Sequence, residues 1–255
     1  MDPRLFIVNL VALGLCLWGE SVFPFFMDRK ERVSHGARNI AIGLTNAVIL
    51  TLAFSGLIVS SVQWGDLHRF GILRWLNLPS PGLELWMGFV LFDLWMYGWH
   101  RANHQLPFFW RFHRVHHADP SVDSTTALRF HAGEMILSSI LRLAVIPILG
   151  ISLENLVLYE LILEPVILFH HSNIAFPERF DRIMRLLVVS PNMHRVHHSD
   201  IPTETNSNYA SIFSFWDRLW GTYCRRDSII TIQYGLKEFR EPRWNTLPGI
   251  LSIPF

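Results

Sequence analysis

The string His113-Arg114-Val115-His116-His117 returns far downstream as His194-Arg195-Val196-His197-His198. Both read His-x-x-His-His. On a helix, positions i, i+3 and i+4 share a face, so each string can turn three imidazoles toward one point. His100-Arg101-Ala102-Asn103-His104 adds two rings at i and i+4, the spacing with which one helix holds one ion. A lone histidine is ordinarily a satisfied polar residue, and one His-x3-His pair arises readily by chance. With 13 histidines in 255 residues, however, two identical triplets beside such a pair are not an accident of composition. Histidine-rich storage tracts are flexible and low in complexity, and these are neither. Eight imidazoles exceed the four that one tetrahedral zinc takes, so two ions are implied. An all-nitrogen shell without thiolate, beside apolar walls, suits a redox pair handling O2 better than a hydrolytic zinc.

The elements that position these rings belong to a membrane protein. Half of the residues are apolar and 17% are charged, too greasy for an ordinary soluble enzyme. The net charge of +1 offers no basic field for phosphate backbones, and nucleic acid is not expected as a partner. Cys16 and Cys224 alone support neither a disulfide framework nor an iron–sulfur site. Leu5 to Phe26 and Ile40 to Val62 are each apolar for about 20 residues, the length of a spanning helix. The first lacks a basic leader and a cleavage site, which predicts a retained anchor. The basic loop Asp28-Arg29-Lys30-Glu31-Arg32, with Arg38, is placed in the cytoplasm by the positive-inside rule. Gln63 to Gly82 reads as an outer interfacial loop, and Leu83 to Trp99 as the return crossing that delivers His100 to His131 to the cytosolic side. Met135 to Phe169, broken by Pro147 and Gly150, predicts a helical hairpin with halves of about 15 residues. From Phe176 onward the polar, proline-dotted chain reads as a cytosolic cap. The expected fold is therefore all-α: an integral-membrane bundle of three to four spanning helices plus a hairpin, under a histidine-rich helical cap. The expected divisions are 1–82 for the N-terminal helices, 83–223 for the metal domain and 224–255 for a tail.

The three boxes, in this order and with a hairpin between the second and third, resemble the fatty-acid hydroxylase and sterol desaturase superfamily. Leu128-Arg129-Phe130-His131-Ala132-Gly133-Glu134, His171-Ser172-Asn173, and the tail from Asn208-Tyr209 to Phe215-Trp216-Asp217-Arg218-Leu219-Trp220-Gly221-Thr222-Tyr223 extend the likeness. It covers about Leu83 to Tyr223, and Ala132 stands where the family usually has proline. The resemblance implies two iron ions on the cytosolic face, with zinc as an artefactual substitute, and O2 as co-substrate. It implies hydroxylation or desaturation of a lipid or sterol-like C–H bond. It also adds His131 and His171 as ligands or near neighbours, whereas His170 points about 100° away from His171 on a helix.

Ligating imidazoles give their second N–H to an oxygen acceptor, and Asp93, Glu134, Glu160, Glu164 and Asn173 are the expected supports. An Arg142–Glu160 pair across the hairpin is the structural alternative for that carboxylate. His35 and His68 are read as unpartnered surface residues in loops, and Asp217 with Arg218 as an ion pair closing the cap. The chain carries no nucleotide fingerprint and no haem or cluster motif, so electrons must come from a separate ferredoxin-like or cytochrome b5-like donor, docked by basic residues such as Arg225-Arg226. The expected setting is the inner or cell membrane, with the site cytosolic. A membrane metal transporter would share the histidines but needs polar residues along successive spans, and a non-catalytic homologue is disfavoured by the complete set of boxes.

Overall fold

The structure, a computed structural model, describes residues 3–27 and 31–255. Asp28, Arg29 and Lys30 of the predicted basic loop lie outside the described residues. Among the described residues the chain is helical, with pairing between extended segments limited to isolated bridges. Helix α1 covers Pro3–Val22 and α2 covers Arg32–Leu67, 36 residues in one piece. The stretch expected as an outer loop is thus partly the end of α2, followed by the short α3 (Ile72–Leu76).

Helix α4 (Pro81–Gln105) starts where Ser80 accepts from the Leu83 amide and Pro81 occupies the first turn, a position that lacks a hydrogen-bond partner in any case. Leu106 is extended, as a residue before proline should be, and Pro107 opens α5 (Pro107–His117). The predicted hairpin is α6 (Ala132–Leu149) and α7 (Leu153–His171). Gly150, at φ 78°, ends α6 in the left-handed conformation, and Ser152 with Asn155 caps α7 reciprocally. The halves run to 18 and 19 residues, longer than expected, because Pro147 falls in the last turn of α6 and breaks nothing upstream.

Three segments are long and apolar enough to cross a membrane: Arg4–Val22, Arg32–Leu76 and Ala132–Leu149. Helix α4 occupies the predicted return crossing but is not one of these three segments. The apolar outer faces of α1 and α2, with Phe6, Leu10 and Trp18 on one and Leu44, Val48 and Leu52 on the other, are exposed, as a lipid-facing surface requires. Helix α2 packs along α6 and α1 along α7. The C-terminal ends of α1, α4 and α7 and the N-terminal ends of α2 and α6 meet at one end of the bundle. There they are closed by α5, α9 (Pro191–His197), α10 (Pro202–Thr205) and α12 (Leu247–Ser252), while α8 (Glu178–Met184) packs on α9 and α11 (Phe215–Leu219) lies against the middle of α4.

Candidate metal centre

The histidine strings sit on the helices their spacing predicts. Box one is the last turn of α4, box two the last turn of α5, and box three fills α9 and its C-cap. Their rings form two adjoining groups whose ligand atoms lie within 4.8 Å of one another: His100, His104, His113, His117 and His197 in one, and His116, His171, His194 and His198 in the other. Each His-x-x-His-His string feeds both groups, so the two share helices α5 and α9. His104 and His117 face His197 at 4.7 Å between ring centroids, and His116 faces His198 at 4.6 Å.

The group of five is aimed by oxygen acceptors. His100 Nδ1 donates to the Tyr209 carbonyl at 2.8 Å, His197 Nδ1 to the Ser207 carbonyl at 2.6 Å, and His113 Nδ1 to the Glu134 carboxylate at 2.8 Å. Each bond fixes the proton on Nδ1 and leaves the Nε2 lone pair facing the other rings. Asn103 donates to the same Glu134 oxygen at 3.2 Å, so the carboxylate is itself held. In the group of four, His171 Nδ1 donates to the Ile167 carbonyl at 2.8 Å. Its Nε2 then stands 3.0 Å from Nε2 of both His116 and His194, and His194 Nε2 lies 3.1 Å from His198 Nε2.

These nitrogens test whether a metal fits. Buried ring nitrogens without any partner include both of His104, both of His117, Nε2 of His113 and His197, and Nδ1 of His116, His194 and His198. Buried polar atoms are otherwise almost always paired, and the Nε2 lone pairs of His113 and His197 beside the unpartnered nitrogens of His104 and His117, with the converging Nε2 atoms of the group of four, offer cations their ligands. Separations near 3.0 Å are those of adjacent ligands bonded at roughly 2.1 Å to one ion. Burial first, and then the surrounding imidazoles, lower the pKa of His116, His117, His194 and His198 well below the ordinary histidine value, and burial pushes His197 down to about 3. Neutral imidazoles are the form that binds metal. The residues fit two ions in an all-nitrogen shell.

Other expected site residues lie elsewhere. His131 is the N-cap of α6, its Nδ1 accepting from the Gly133 amide at 3.0 Å, and it stays outside both groups. The local motif suggested a ligand, but the ring turns toward Phe112 and Phe255 instead. His170 also lies outside the two groups, although its ring packs on His194 at 4.0 Å. Of the expected supports, Glu134 touches a histidine. Asp93 instead accepts from Tyr159, the Phe213 amide and Trp216, pinning the 212–216 segment to the middle of α4. Glu160 pairs with Arg142 at 2.8 Å. Glu164 is a turn further along α7 with no hydrogen bond to a ring, and Asn173 bonds both backbone groups of Phe26. Asp217 accepts from the Tyr209 and Ala210 amides and Thr222, while Arg218 donates to the Ser214 and Arg185 carbonyls, so each closes the cap separately. Arg226 is engaged with Glu204 at 2.9 Å.

His35 overturns its reading as a surface residue. It lies buried on α2, its Nε2 2.8 Å from Asp119 and its Nδ1 3.3 Å from Asp123. Asn39 and Thr126 also donate to Asp119, whose pKa falls below the ordinary carboxylate range: burial opposes the shift, and His35 and Arg129 outweigh it. Glu20, at the end of α1, accepts from the Ser124 amide at 2.8 Å, the Ser124 hydroxyl at 2.7 Å and the Asn173 amide at 3.0 Å. These carboxylates and His35 escaped sequence reasoning because their partners are distant in the chain. The available signal was Asp119 and Asp123, two acids immediately after a histidine box.

The model of the fatty acid hydroxylase family matches residues 85–222. Alkylglycerol monooxygenase of Danio rerio is 29% identical over 180 residues, covering 68% of this chain and 36% of that protein. Ornithine lipid hydroxylase OlsE of Rhizobium tropici is 28% identical over 149 residues, covering 58% of this chain and 44% of its own length. Human cholesterol 25-hydroxylase is 25% identical over 164 residues, covering 59% of each. The chain spans less than half the length of the alkylglycerol and ornithine lipid enzymes. No solved structure matches.

Proposed function

Because this chain belongs to the fatty acid hydroxylase family, we propose that it is an integral-membrane lipid hydroxylase whose two histidine groups each hold one iron ion. The observation that carries the reading is the pair of adjoining all-imidazole groups, eight of their nine rings buried, whose ring nitrogens converge within 4.8 Å of one another in each group. His100, His104, His113, His117 and His197 would hold one ion, and His116, His171, His194 and His198 the other. Iron bound there supplies the redox chemistry that activates O2. The net reaction inserts one oxygen atom into a C–H bond and reduces the other to water, using two electrons and two protons.

The chain's own residues do the rest. Glu134 and the Tyr209, Ser207 and Ile167 carbonyls aim the rings before any ion arrives, a preorganisation that lowers the cost of assembling the shell. Burial of eight of the nine rings, with His100 half-buried, keeps bulk water from the reacting carbon. A membrane lipid is the substrate class supported by the apolar helices and by relatives named for alkylglycerol, ornithine lipid and cholesterol. Those names favour hydroxylation over desaturation. Electrons come from a separate ferredoxin-type or cytochrome b5-type protein, and the histidine end of the bundle lies on the cytosolic side.

Two measurements test this together. Purified protein should carry close to two irons per chain and consume O2 when given a reductase, a donor and a lipid extract. Mass spectrometry of that extract should show a product heavier by one oxygen atom. Zinc-only protein without O2 uptake, or a product lighter by two hydrogens, would refute the iron site or the hydroxylation respectively.

A further inference from the structure

The segment after α7 was expected to be a polar cytosolic cap, and part of it is inverted. Along residues 178–187 and 217–221, Asp181, Arg185 and Asp217 are buried, whereas Phe180, Ile183, Leu186, Leu187, Leu219 and Trp220 are between 48% and 68% exposed, beside exposed Glu178, Arg179 and Arg182 at one end and Arg218, whose guanidinium is spent on the Ser214 and Arg185 carbonyls. A surface made to face water has the opposite order. The two stretches form one arm. Val188 pairs with Phe213, the Val189 amide donates to the Ile212 carbonyl, the Ser214 amide to the Leu187 carbonyl, and Arg218 reaches the Arg185 carbonyl at 2.7 Å.

The arm's depth is read from its footing on α4. His100 meets the Tyr209 carbonyl, Tyr97 meets Thr222, Asp93 meets Phe213 and Trp216, and Trp86 meets the Phe213 ring. At about 1.5 Å per helical residue, Asp93 and Trp86 lie roughly 10 and 21 Å from His100 along α4. The arm therefore hangs beside the bundle, away from the histidine end and toward the level of the apolar faces of α1, α2 and α6. Its backbone suits that level. Amides of residues 185–189 and 220–223 all have intramolecular acceptors, the condition for chain surrounded by lipid.

We propose that this arm is seated in the bilayer, with Ile183, Leu186, Leu187, Leu219 and Trp220 in the acyl region and exposed Arg179 and Arg182 at the headgroups. The occupant of the patch is lipid rather than protein, because the patch continues the lipid-facing surface of the spanning helices and its exposed cations match anionic headgroups. The arm then lies between the bilayer and the fully buried α9, onto which Asp181 fastens it by accepting from the Ser190 hydroxyl and the Asn192 amide.

The test uses the full chain in vesicles of phosphatidylcholine and phosphatidylglycerol. In a Cys16→Ser/Cys224→Ser background, spin labels are attached through Ile183→Cys, Leu187→Cys, Leu219→Cys and, as an exposed reference outside the arm, Lys237→Cys. Relaxation by dissolved O2 should exceed relaxation by a water-soluble nickel chelate several-fold at the three arm positions, and the order should reverse at position 237. Nickel-dominated relaxation at all four would overturn the proposal. Shielding from both reagents with dipolar broadening between labels would show a second copy covering the arm, and would overturn it equally.

Discussion

The two histidine groups are built differently. In the group of five, three rings are anchored from behind, one of them directly by the Glu134 carboxylate. In the group of four, His171 is anchored by a carbonyl, while His116, His194 and His198 leave Nδ1 bare and touch one another through Nε2. Its negative charge stands one layer back, where Asp119 acts electrostatically on His171 and His198 while bound to His35. The contrast teaches that one half of the site is aimed by hydrogen bonds to its ligands, and the other by the packing of α2 against the loop after box two.

Removing a ligand should break the contrast outright. His198→Ala should lower the metal from roughly two ions per chain to roughly one, and His104→Ala or His117→Ala should remove the other ion, each abolishing turnover with membrane insertion intact. Loss of both ions from either kind of variant would show that the groups fill as one unit. Next comes His35→Ala, which removes the buried imidazole between Asp119 and Asp123, leaves them to Asn39, Thr125 and Thr126, and should cost about 3 kcal/mol of stability. Thermal unfolding in detergent measures this, and an unchanged midpoint would remove α2 from the support of the group of four.

Glu134→Ala sharpens the comparison from the opposite side. It should weaken metal binding by about 10–100-fold, with the defect confined to one of the two ions. Competition with a chelator reads both steps, and equal weakening of the two would contradict the division. The smallest effect belongs to His131→Ala, which removes a cap from α6 at a cost of about 1 kcal/mol or less and should leave metal content unchanged. Loss of an ion in that variant would return His131 to the ligand set.

The periodicity of the boxes made much of this site legible. Imidazoles at i, i+3 and i+4 have to share a helix face, and nine of the ten histidines singled out in the sequence enter the two groups. His131 does not, because a residue on the rim between loop and helix can spend its ring nitrogen on the helix's first amides. Asp93 was placed correctly on the interior face of α4. Its spacing from His100 could not say that Tyr159, Phe213 and Trp216 would claim its oxygens first. His35 was hidden because nothing local distinguishes a histidine at the start of an apolar run, and Asp119 is 84 residues away. The inverted arm was hidden for a related reason: its Asp181, Arg185 and Asp217 give the segment a charged composition while facing inward.

The placement of Glu20 sets a lower bound on what must be made to obtain a working centre. One carboxylate from α1 clasps the loop after box two at Ser124 and the loop after His171 at Asn173, while α2 supplies His35 and Asn39 to the same region. Neither helix falls within residues 85–222, the part shared with the family. A truncated expression product limited to that part would keep every histidine of the two groups and still lose the scaffold that holds two of their loops in register.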